Sequence, residues 1–242
     1  LIHGFGGDLN NWLFNHEALA ADREVYALDL PGHGRSGGQP LTHVEALAEW
    51  VISLANQVAN GPVALVGHSM GSLIALQAAA SAPDKVSRLV LVGSVAPMPV
   101  AAPLLDAALH APAKAHAMIN QWSYTAASQL GASPVPGLNL TAMNERLMQR
   151  QAEGVLHRDL HTCNAYGGGF DAAARVRCPA LLLSAAQDRM TPPKAIAPLA
   201  GAFPTTNPPR IVILPKAGHA MMSEAPGALL DALWNFLARP PD

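Results

Sequence analysis

Four short, unbroken apolar runs constrain the fold more than any other feature of the chain. They are residues 62–67 (PVALVG), 88–93 (RLVLVG), 180–184 (ALLLS) and 210–214 (RIVIL). A run without polar alternation is the mark of a strand buried on both faces. Helical patterns lie between and beside these runs. Residues 41–60 place Val44, Leu47, Ala48, Val51, Leu54 and Ala55 at helical spacing, 71–82 form an Ala-rich segment ended by Pro83, and 227–238 read as a last helix. Residues 24–30 (EVYALDL) read as a further, earlier strand. Strands separated by helical crossovers imply a mostly parallel sheet flanked by helices, an α/β fold. At 242 residues the chain suits one such domain, residues 1–242.

The rhythm breaks between residues 97 and 171, where no buried strand is legible. Helical patches at 101–122, 140–150 and 157–166 fill this stretch, with Pro134, Pro136 and the glycines 167–169 between them. It reads as a helical insertion, a cap of residues 97–171 within the single domain. Met118, Met143, Met148, Trp122 and Tyr124 make it a source of pocket-lining side chains.

Charge and cysteine content narrow the function classes. Only 13% of residues are charged and the net charge is −2, so nothing steers the chain to nucleic acid or anionic lipid. Cys163 and Cys178 form neither a disulfide framework nor a Cys-x-x-Cys pair, and a reducing, cytoplasmic setting is the default expectation. No apolar run reaches the roughly 20 residues of a membrane span. The chain opens at Leu1, inside a motif, and shows no signal peptide, so a segment that could carry one is expected to be missing.

The chemistry-bearing residues follow the predicted strands. Gly67-His68-Ser69-Met70-Gly71 joins a buried strand directly to the Ala-rich helix. A turn that tight strains the serine backbone and leaves no room for side chains at either glycine. It exposes the Ser69 hydroxyl as a nucleophile and turns the Met70 N–H toward developing negative charge. An ordinary strand–helix turn could carry the same pentapeptide. A serine nucleophile needs a base, and His219 lies in the loop after the last strand. The base needs an acceptor to set its tautomer, and Asp188 lies in the loop after the strand at 180–184. Each of the two also fits a solvated loop residue. A second oxyanion donor is expected from His3-Gly4-Phe5-Gly6-Gly7, where the Phe5 N–H is the candidate. No phosphate-binding motif accompanies this loop. His157 and His161 have metal-ligand spacing, but Arg158 stands where a zinc-protease helix has Glu, and no metal or other cofactor is expected.

Taken together, these motifs resemble the α/β-hydrolase superfamily along essentially the whole chain. The resemblance rests on His3–Gly7, on Asp29-Leu30-Pro31-Gly32-His33-Gly34-Arg35-Ser36, on Gly67–Gly71, on Asp188 with Pro192, and on Gly218-His219. The stretch from HGFGGDLNNWLFN to ALDLPGHGRS is similar to the hydrolase-type domain of acetyltransferase components of acetoin dehydrogenase complexes. The family order of nucleophile, acid and base matches Ser69, Asp188 and His219. The serine at the nucleophile position excludes the dehalogenase and epoxide-hydrolase branches, which use aspartate. The resemblance implies a cap inserted after the family's sixth strand, a structural role for 29–36, and N-terminal strands that are missing ahead of the His3-Gly4 motif. It also implies a serine esterase acting on small to medium carboxylic esters, with Met118 and Trp122 as pocket residues. Thioester, lactone or carbon–carbon bond hydrolysis, a hydroxynitrile lyase-like activity and a small-ligand receptor use the same frame and stay open. The partner expected is a small-molecule ester, and nothing in the sequence speaks to oligomeric state.

Overall fold

The computed structural model describes residues 1–238. Its centre is a four-stranded parallel sheet of β1 (Val63–His68), β2 (Val86–Val92), β3 (Ala180–Ala185) and β4 (Arg210–Leu214), in the spatial order β1-β2-β3-β4. These are the four apolar runs. Helix α1 (His16–Leu19) and α2 (Val44–Val58) precede the sheet, and α3 (Met70–Ser81) joins β1 to β2. Between β2 and β3 come α4 (Ala102–His110), α5 (Pro112–Ser123), α6 (Ala126–Gln129), α7 (Leu140–Gln149), α8 (Val155–Ala165) and α9 (Gly169–Ala174). Then follow α10 (Ala197–Gly201) between β3 and β4, and α11 (Met221–Glu224) and α12 (Pro226–Leu237) at the end. Among the described residues no helix is long and apolar enough to cross a membrane.

Alternate strand residues enter different cores, as the period of two requires. Leu65, Leu89, Leu91 and Leu182 pack with α2, α3, α9 and α10, while Val66, Val90, Val92, Leu181 and Leu183 pack with Trp12, α11 and α12. A third cluster, built on Leu104, Ala115, Ile119, Met148, Leu156 and Leu160, holds the helices between β2 and β3 together. Ala172 and Ala173 of α9 belong instead to the core around α3, so the last helix before β3 is part of the scaffold.

Two expectations need correction. The patch at 101–122 is two helices, because Pro112 has no amide proton to continue α4 and instead starts α5. The stretch at 24–30 is not a strand. A ladder needs successive backbone pairs, and in this stretch only Tyr26 and Leu28 make them, both with Leu1. Leu1 donates to the Tyr26 carbonyl and accepts from Leu28 N–H, while Ile2 bridges to Gly67 of β1. Beyond that bridge a cavity of about 370 Å3 separates residues 24–28 from the edge of β1.

Candidate active site

Ser69 sits between β1 and α3 with φ 52° and ψ −119°, and among the described residues it alone has a positive φ without being glycine. Such backbone costs on the order of 1–3 kcal/mol and persists only where the surroundings impose it. They do so here. A β-carbon on Gly67 would run into the Gly71 carbonyl, and one on Gly71 would lie 2.5 Å from the carbonyl oxygens of Ile2 and His3. Ser69 N–H donates to the Val92 carbonyl of β2, and Ser72 N–H closes the turn onto the Ser69 carbonyl.

His219 arrives from the loop between β4 and α11. Its Nδ1 lies 2.8 Å from Asp188 Oδ2, with both side chains almost fully buried. The remaining capacity of the carboxylate is filled. Met190 and Thr191 N–H groups donate to Oδ1 at 2.8 Å each, and the Thr191 hydroxyl donates to Oδ2 at 2.7 Å. Burial pushes the Asp188 carboxyl up, but the His219 ring and the Thr191 donors outweigh it and hold the group below its ordinary value. An anchored carboxylate fixes the ring so that Nε2 is the free nitrogen. That nitrogen is buried and makes no hydrogen bond, so Ser69 and His219 are not hydrogen-bonded to each other here. Catalytic hydrogen bonds of this kind commonly tighten only when substrate is bound. Ser69 and His219 line one common cavity.

The loop His3–Gly7 borders the nucleophile. A β-carbon on Gly4 would come within 3.2 Å of Ser69 Cβ. Phe5 lines the space beside Ser69, and its amide takes no part in the loop and cap hydrogen bonds around it, nor does that of Met70. An unengaged N–H group beside a serine oxygen can receive an oxyanion.

Of the two expected pocket residues, Trp122 lines a cavity at Ser69. Met118 lines neither cavity at Ser69, although it and Trp122 both pack against the third core cluster. Other residues escape a reading of the sequence. His68 Nε2 lies 3.0 Å from the His219 carbonyl oxygen. Glu224 accepts from Gly218 N–H at 2.7 Å and from Thr125 and Ser128, tying the His219 loop to α6. Asp159 of α8 accepts from Gly6 N–H at 2.7 Å and lies 2.9 Å from His33 Nε2. The only signal for Glu224 was its place five residues beyond His219. Asp159 lay in a segment, HRDLH, that reads as a solvated face. Among the described residues no cluster of three or more His, Cys, Asp or Glu could hold a metal ion.

Comparison with known proteins gives the family. The family described as the Alpha/beta hydrolase family matches residues 1–232. The chain belongs to the alpha/beta hydrolase family. The chain is 50% identical over 95 residues to the dihydrolipoyllysine-residue acetyltransferase component of the acetoin cleaving system of Pseudomonas putida. That match covers 39% of this chain and 26% of the relative, so the chain spans about a quarter of that protein's length. It is 26% identical to a pimeloyl-[acyl-carrier protein] methyl ester esterase of Klebsiella pneumoniae, across 99% of this chain and 93% of that one. In fold it is similar to an enol-lactonase from Burkholderia xenovorans, with a TM-score of 0.84 and 22% identity over 98% of this chain and 90% of the other. A thermophilic esterase gives a TM-score of 0.82 with 24% identity over 98% of this chain and 88% of its own.

Proposed function

We propose that this hydrolase cleaves small to medium carboxylic esters through an acyl-enzyme on Ser69. The observation that carries the reading is the buried 2.8 Å pair of His219 Nδ1 and Asp188 Oδ2 beside a strained serine turn. His219 takes the Ser69 proton as Oγ bonds the carbonyl carbon, and Asp188 steadies the imidazolium. Phe5 and Met70 N–H groups hold the oxyanion, where one such donor is worth about 3–4 kcal/mol of barrier. His219 then protonates the departing alcohol, and a water activated by the same ring clears the acyl group. Every group needed is supplied by the chain, without a cofactor. Helices α4 to α8 serve as a cap over Ser69. The relative named as a methyl ester esterase, matched along nearly its whole length, supports an ester over the other acyl compounds.

Short p-nitrophenyl esters are the test. The protein is expected to turn them over, Ser69→Ala to lower kcat by at least about 10⁴-fold, and a fluorophosphonate probe to label Ser69. Folded protein that neither turns over any acyl length nor takes the label would refute the reading. Labelling with turnover of thioesters or lactones alone would move the assignment to those substrates.

A further inference from the structure

Two cavities, of about 50 Å3 and about 160 Å3, meet at Ser69 and Phe5, which line both. Among all the residues that line them, Arg189 alone is a Lys, Arg, Asp or Glu, and it belongs to the larger cavity. Met98, Val100, Leu104, Trp122 and Leu160 stand in the same wall. Only 13% of the chain is charged, so a cation in the lining of the nucleophile's own cavity is a specific feature of this site.

Arg189 is fixed at its root and free at its tip. Its backbone lies inside the turn in which Asp188 Oδ1 accepts from Met190 and Thr191 N–H at 2.8 Å each, so its Cα is held in place. The residue is exposed, and Nη1 donates to the Gln121 carbonyl of α5 at 3.4 Å. That long bond occupies one of the five N–H donors of a guanidinium. Among the described residues no carboxylate pairs with it. The adjacent Asp188 does not serve, because its carboxylate is turned inward to the Thr191 hydroxyl and the His219 ring. A full positive charge with open donors therefore stands in the wall of the space where substrate must lie.

We propose that Arg189 recognises a carboxylate on the substrate, so that the preferred esters carry an acidic group at the end of a short apolar spacer. This rests on the ester reading above. A guanidinium fork matches the two oxygens of a carboxylate, and the donors that Gln121 leaves open are enough for a bidentate pair. One guanidinium balances one unit of negative charge, which is what a carboxylate brings. Met98, Val100, Leu104 and Leu160 suit the carbons between that group and the ester bond at Ser69. No bond forms or breaks at Arg189. Its pairing lies away from the reacting atoms and acts through kcat/KM. Because Arg189 is exposed, salt screens the attraction.

Two ester series measured with the whole protein in a pH-stat at pH 7 separate the outcomes. One is the monomethyl esters of straight-chain diacids from succinate to sebacate, and the other is the acetates of straight-chain ω-hydroxy acids of the same lengths. Each acid is compared with its ω-amide, which has the same size and no charge. In at least one series the acid is expected to exceed the amide in kcat/KM by at least about fivefold at its best length. Raising the salt from about 0.02 M to about 0.5 M is expected to bring that ratio down toward one. Arg189→Gln is expected to bring it to about one, Arg189→Glu to put it below one, and Arg189→Lys to keep part of it. Each ratio is taken within one variant, so a general loss from disturbing the neighbouring Asp188 cancels. A ratio near one at every length in both series would overturn the assignment, as would a preference that Arg189→Gln leaves intact. Neither result touches the ester reading. That reading fails separately, and takes this assignment with it, if neither acids nor amides are cleaved and Ser69 is not labelled.

Discussion

His3 and His68 are buried beside the serine turn, and each lacks a carboxylate partner of its own. Burial, with the charge of His33 added, pushes His3 down to about 4, and burial with the charge of His219 pushes His68 down to about 3. Both folded values lie below the ordinary 6.5 of an unfolded histidine. Between those limits the unfolded chain binds protons that the native chain refuses, so stability falls as pH drops from about 6.5 toward 4. His33 runs the other way. Burial lowers it, but the Asp159 carboxylate outweighs burial and raises it, so its contribution is full below about 6.5 and fades as pH rises through its folded value. Burial lowers His116 as well, so three imidazoles oppose one, and the net loss is on the order of a few kcal/mol. The urea midpoint is expected to fall clearly between pH 7 and pH 4.5, and His68→Gln to flatten that slope. An unchanged midpoint would mean that both rings gain protons without unfolding. At this scale the sequence was legible wherever a residue type has a fixed spacing. Ser69 was found by its glycines, and Asp188 and His219 by their order and their places after predicted strands. Thr191, Glu224 and Asp159 were not, because a threonine or a carboxylate in a polar stretch has no spacing that separates a buried partner from a solvated one.

Helix α8 shows what an element adds to its residues. Its position in the chain was legible from apolar spacing, and its ends, Val155 and Ala165, differ little from the expected patch. Which way its carboxylate faces was not. Asp159 turns inward and holds the Gly6 amide, next to Phe5, together with the His33 ring. Both partners of the His33–Asp159 pair are only 2–3% exposed. Removing one member of such a pair leaves an uncompensated buried charge. Asp159→Ala is therefore expected to cost about 3–5 kcal/mol in urea unfolding, and to lower kcat more than it changes KM, since the proposed oxyanion donor loses its support. Asp159→Asn, which keeps an acceptor for Gly6, is expected to lose less kcat. Equal kinetic losses in the two variants would show that the charge, not the grip on Gly6, matters. The stretch at 24–30 teaches the converse. Its alternation of apolar residues suits a strand, but hydrogen bonding to Leu1 alone gives no ladder.

At the scale of the molecule the sheet divides two cores. Leu182 faces α3, and Leu183, its neighbour, faces α12, both fully buried. Leu182→Ala and Leu183→Ala are each expected to cost about 2–5 kcal/mol, whereas Ile213→Ala on edge strand β4, with Ile213 48% exposed, should cost well under that. Denaturant titration of the three variants checks the ranking, and a loss on one face only would contradict two independent cores. By itself the sequence determined the four buried strands, the parallel order of strand and helix, the serine turn and the places of Asp188 and His219 after β3 and β4. Those features rest on local rules: apolar period, turn sterics, and the placement of loops at strand ends. Only the tertiary structure decided which side chains close the site. Asp159 meets Gly6 across 153 positions of the chain, Glu224 meets Thr125 across 99, and two cavities of unequal size open on the two sides of Ser69. Such contacts depend on how separate elements pack, and no window of sequence short enough to carry a local pattern contains both partners.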